Sequence, residues 1–134
     1  MNSASIDIKD LLLLETSFDL AFADNLYVGK EPPKPDNCVT IFDTPGRPPV
    51  LTLNAKESPE YYFPSVQIRV RNNLYIFGWN LLHEITRFLH AVNMQMINGT
   101  VYELIKCTMA PMMLDWDLED RVRFVATFDI QRRD

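Results

Sequence analysis

Apolar positions along the chain recur with two periods, and the switches between them outline the elements. Positions 8, 11, 12, 15 and 18 follow helical spacing, which predicts a first helix over residues 6–18 with Ser5 as N-cap and Asp7 in its first turn. Four consecutive leucines at positions 11–14 cover every side of that helix, so Leu13 or Leu14 faces something other than the main core. A second helical stripe, Leu74, Gly78, Leu81, Ile85, Phe88 and Val92, thickened by Phe77, Leu82 and Leu89, predicts a long helix over 74–92. Such a helix is about 30 Å long and crosses a whole sheet. Glu84 and Arg87, three apart, form a surface pair on its polar side.

Period-two alternation marks the strands. The stretch YYFPSVQIRVR, residues 61–71, sets Val66, Ile68 and Val70 on one face and Gln67, Arg69 and Arg71 on the other. Residues 38–43, 100–109 and 122–130 read as further strands; in the last, Val122, Phe124, Ala126, Phe128 and Ile130 point inward. A short apolar run, 25–28, precedes a turn-rich connection over 29–36. Prolines dominate residues 44–60, predicting a long loop whose Val50, Leu51 and Leu53 have no place in the strand pattern and suit partner binding. Residues 111–119 read as a second connection. The order describes one domain over 1–134: an α+β fold, a largely antiparallel sheet of four to five strands packed by the long helix and the N-terminal helix.

At 134 residues, with 47% hydrophobic and 23% charged, the chain can build a core without disulfides or metals. Cys38 and Cys107 sit in separate apolar runs, which favours two reduced thiols over a bridge and suits a reducing cytoplasm. No leader or membrane span is expected, because the leucine run is flanked by Asp10 and Glu15. Charge is lopsided: residues 1–60 hold ten acids against five bases and residues 61–134 eight against eight, so the net −5 arises in the first part. That balance opposes nonspecific grip on a nucleic-acid backbone.

Chemistry-bearing constellations are sparse. His83 and Glu84 open like a zinc-protease motif, but the next histidine, His90, is seven residues on, so ligand spacing at i, i+4 is missing. Asp115, Asp117, Glu119 and Asp120 crowd one loop; a solvated acidic loop is the plainer reading, and a hard-cation site, as in a small metal-dependent hydrolase, the rival one. Ser58 and Ser65 stand beside prolines without the glycines of a nucleophile elbow, and the aromatics Tyr61, Tyr62, Trp79 and Trp116 fit core or interface roles better than base stacking. No cofactor, metal or catalytic residue is expected, and surface for holding partners stands out instead.

The run PDNCVTIFDTPG at 35–46, followed by YYFPSVQIRVR, the long helix, Thr100-Val-Tyr102 and RVRFVATF at 121–128, resembles the minor capsid or tail terminator proteins of long-tailed bacteriophages, from about residue 6 to the end. The resemblance implies a non-enzymatic α+β virion protein of the tail or neck, assembled in the host bacterial cytoplasm. It also implies a hexameric ring that caps the tail tube, meets the head-tail connector, and lets DNA pass only through its lumen. A different neck or head-completion protein is the alternative within that setting. In a ring, charge asymmetry pairs Arg69 and Arg71 with a neighbour's acidic N-terminal part, including Asp7, Asp10 and Glu15.

Overall fold

The computed structural model describes residues 1–50 and 60–134. In chain order these form α1 (Ala4–Leu13), a 3₁₀ turn (Thr16–Phe18), β1 (Leu26–Val28), β2 (Cys38–Val50) and β3 (Tyr61–Asn72). Then come α2 (Tyr75–His90), β4 (Asn93–Ile97), β5 (Thr100–Trp116) and β6 (Val122–Arg133). One sheet carries the strands in the order β1-β2-β3-β6-β5-β4. All neighbours run antiparallel except β1, which is parallel to β2. The α+β reading stands, with two corrections: the described sheet has six strands rather than four to five, and it is mixed.

Both helices cover one face. Val39 and Ile41 of β2, Val66, Ile68 and Val70 of β3, and Phe124, Ala126 and Phe128 of β6 lie in register there and are buried against Leu82, Ile85 and Leu89 of α2 and Ile8, Leu11 and Leu12 of α1. The alternation expected for β3 and β6 thus builds the core. Gly78 lets α2 sit close: a Cβ there would stand 2.9 Å from the Phe124 ring.

The first helix begins earlier and ends sooner than its periodicity suggests. Ser5 is not its N-cap; it is buried in the first turn, where its amide and hydroxyl donate to Asp43 of β2 at 3.1 and 2.6 Å. A carboxylate from another element therefore satisfies the helix N-terminus. Position 15, counted in the helical stripe, instead caps the 3₁₀ turn, its carboxylate accepting from the Ser17 amide.

Among the described residues, two stretches expected as connections continue as strand. β2 continues through Pro45, Pro48 and Pro49 to Val50, slipping register against β3 on either side of Arg47. β1 covers only residues 39–41 of β2, so among the described residues these prolines lie where no outer neighbour needs an N–H. At Gly46 a Cβ would lie 2.1 Å from the Phe63 carbonyl, so this irregular crossing needs a residue with no side chain. β5 likewise runs through Pro111 to Trp116, with repeated register shifts against β6.

Candidate functional site

The helix-free face of the sheet answers why β3 is apolar on one side and cationic on the other. Arg71 is buried rather than outward: residues 29–37 fold back over it, and it donates to the Pro35 carbonyl at 2.6 Å, the Asp36 carbonyl at 3.2 Å and Glu31 Oε1 at 3.4 Å. The same Glu31 oxygen accepts from Arg123 at 3.2 Å, while Arg69 lies 4.0 Å from the other. Beside them Arg121 holds Asp117 at 2.7 Å and the Pro33 carbonyl at 2.5 Å. One carboxylate thus faces three guanidiniums, and Arg71, Arg121 and Arg123 hydrogen-bond the proline-rich connection to the sheet. Arg123 completes the network through a two-armed pair with Asp115, 2.6 and 2.5 Å, which raises its own pKa and lowers that of Asp115.

Asp7 is also internal. Completely buried, it accepts from the Tyr102 hydroxyl at 2.5 Å, the Asn98 amide at 2.8 Å, the Asn2 amide at 3.2 Å and Arg132 at 3.4 Å. Arg132 donates as well to the Tyr102 oxygen at 2.9 Å and the Asn2 carbonyl. Burial first, and the bond to Asp7 second, push the Tyr102 phenol up. This network ties α1 to β5 and β6. Asp10 is half-exposed, held by Lys9 and Asn98. Of the charged residues expected at a subunit contact, Arg69, Asp10 and Glu15 keep part of their surface open, while Arg71 and Asp7 serve the fold.

Val50 is exposed at the end of β2, opposite Tyr61; Leu51 and Leu53 lie outside the described residues, as does Ser58. Arg47 stacks on Phe63, 4.3 Å from its ring.

The surface that charge reasoning missed is apolar. At one end of the molecule the β5–β6 hairpin exposes Met112, Met113, Leu114, Trp116 and Leu118. Next to it the first turn of α2 exposes Tyr75, Ile76 and Phe77. Phe124 links the two, opposite Met113 in the sheet and edge-on to Tyr75 at 5.0 Å. The hairpin turn is tightly built: Asp117 Oδ1 accepts from the amides of Glu119 and Arg121 at 2.9 and 3.0 Å, and Leu118 at its apex is fully exposed. At the other end of α2, Leu11 and Leu14 of the α1 end, Phe88, Ala91, Val92 and Gln95 line a groove of about 260 Å³. Leu14 is exposed there and Leu13 is part-buried, so Leu14 is the leucine of the run that leaves the core. The run of methionines at 109, 112 and 113 was the available signal for the hairpin surface, hidden by its reading as a loop.

Several of the groups considered for catalysis are engaged in structure. Asp115 and Asp117 are held by Arg123 and Arg121. Among the described residues no three of His, Cys, Asp and Glu converge in a metal-binding group. The His83 ring packs on Trp79 at 4.2 Å with Nδ1 3.1 Å from the Trp79 carbonyl, and Ser65 donates to the Phe128 carbonyl at 3.0 Å. Glu84 and Arg87 form no ion pair among the described residues. Cys38 and Cys107 are free thiols, pushed up by burial. No helix among the described residues is long and apolar enough to cross a membrane.

Comparison with known proteins gives two findings. A family model described as bacteriophage tail terminator protein matches residues 7–133. Among solved structures, a chain of the virion of a native gene transfer agent particle is similar at a TM-score of 0.65 and 10% identity, covering 98% of this chain and 96% of that one. At that identity the likeness shows the fold. No individually curated protein matches.

Proposed function

Since the chain belongs to the bacteriophage tail terminator protein family and is a structural tail protein of a phage virion, we propose that it assembles as a ring, a hexamer, that caps the finished tail tube and forms the tail side of the head-tail joint. The family match over nearly the whole chain carries this reading. Two surface properties support it: a large exposed apolar region at one end of the molecule, and arginines and acids that neutralise one another inside the fold instead of forming a reaction centre. Its partners are then further copies of itself, the tail tube protein and the head-tail connector, with DNA confined to the lumen and no catalytic role. Arg69, Asp10 and Glu15, together with Val50, Leu51 and Leu53, belong to the contacts that this assembly makes.

Light scattering on the purified protein tests the ring: a mass near six subunits is expected, and a monomer up to high concentration contradicts it. Divalent-cation-dependent hydrolysis that is lost in Asp117→Ala would point instead to an enzyme.

A further inference from the structure

We propose that the β5–β6 hairpin tip of one copy, led by Leu118 and Trp116, seats in the groove between the ends of α1 and α2 of the next copy. The inference rests on the ring reading and supplies its contact.

The occupant follows from what the two surfaces offer. The hairpin and the first turn of α2 leave large apolar side chains open side by side, Trp116 and Leu118 beside Tyr75, Ile76 and Phe77, the kind of exposed apolar surface that marks a protein contact. The tip needs no ordering, because Asp117 and Arg121 already fix its turn, so a Leu118 presented there gives up little entropy on docking. The groove, about 260 Å³, is lined mainly by Leu11, Leu14, Phe88, Ala91 and Val92, and exceeds the roughly 150 Å³ that suffices to enclose a benzene-sized apolar group.

Charge agrees with shape. Glu119 and Asp120 follow Leu118 on the exposed turn, whereas Arg87 occupies the last turn of α2, next to the groove residue Phe88. On the opposite wall Glu15 follows Leu14, and the tip offers Lys34, which is 3.5 Å from Glu119 and largely exposed. Opposite signs can therefore meet on both walls.

Position fixes the symmetry. The tip lies at the start of α2, where Val122 pairs with Asn72, and the groove lies at its end, about 24 Å away along a 16-residue helix. Two different patches at opposite ends suit a head-to-tail contact, which closes into a ring if its rotation permits; a two-fold dimer would need each tip to enter the other copy's groove at once, and a dimeric wild type overturns the ring.

The test uses Leu118→Asp and Leu14→Asp, both at exposed positions, with thermal melts to confirm folding and sedimentation to read mass. Wild type is expected to sediment as the ring. Each variant alone is expected as a monomer, its subunit dissociation constant raised about a hundredfold or more. An equimolar mixture is expected to give a heterodimer and nothing larger, since only the intact tip of Leu14→Asp meets the intact groove of Leu118→Asp. Wild-type mass in either single variant, or a mixture that stays monomeric, overturns the contact while leaving the ring standing; in that case a tip that still binds tail tubes belongs to another virion protein. A monomeric wild type overturns the ring and this contact with it.

Discussion

Asp7 shows how much of this fold depends on a single buried acid. Asp7 is the acceptor for Tyr102, Asn98, Asn2 and Arg132, so Asp7→Ala leaves a buried guanidinium without its counter-charge and is expected to cost about 3–5 kcal/mol. Tyr102→Phe removes one donor and is expected to cost about 1–3 kcal/mol in denaturant titrations. Tyr102 also sets an alkaline signature. Its folded-state pKa is raised above the ordinary phenol value of about 10, so above that pH the native state holds a proton that the unfolded chain has lost. Its contribution is therefore complete below pH 10 and is lost as pH rises beyond it. Stability of the wild type should fall more steeply above pH 10 than that of Tyr102→Phe. A residual slope should remain from Tyr62, whose phenol is pushed up to about 12 by its hydrogen bond to Glu60.

At the scale of elements, two close fits carry the packing. Gly78→Ala gains about 1 kcal/mol of helix propensity but drives a methyl into the Phe124 ring, itself confined by Tyr75 and Trp79, and the clash of about 1–3 kcal/mol is expected to win. Equilibrium unfolding should thus show Gly78→Ala less stable than wild type, the reverse of an exposed glycine. The strap over residues 29–37 depends on Glu31, which faces Arg69, Arg71 and Arg123. Glu31→Ala is expected to lower the melting temperature and to expose the Lys30 peptide bond to trypsin, with hydrogen exchange rising first in that segment. Equal protection in wild type and variant would mean that the arginine contacts to backbone carbonyls suffice.

Legibility also divides at this scale. β3, β6 and α2 were readable because one face of each is buried in an unbroken period. β1 was legible as the short apolar run 25–28, but β4 was not, being a short edge strand whose burial is incomplete, with Met94 and Asn98 at positive φ interrupting or ending it. The continuations of β2 and β5 carry prolines at 45, 48, 49 and 111, which a central strand excludes and an outer edge tolerates. Sequence alone does not show that Arg71 turns inward, because its cover comes from a proline-rich segment some 35 residues earlier that looks like a solvent loop.

For the whole molecule, the charge lopsidedness seen along the chain is offset in part within the fold. Acids of the first part, Glu31, Asp36 and Asp7, are met by Arg71, Arg121, Arg123 and Arg132 of the second. The asymmetry that suggested contact between subunits is thus used substantially within one. What remains open is apolar surface at the two ends of α2, which charge counting could not reveal, together with a few flanking charges. A family match and a compact scaffold with outward apolar ends are together what an assembling tail component requires. The central claim is most directly tested by negative-stain imaging of purified tail tubes that lack their terminator, mixed with this protein. A ring seated on one end of each tube, absent when the protein is omitted, is the predicted result; bare tube ends at saturating protein, or decoration along the tube walls, would contradict it.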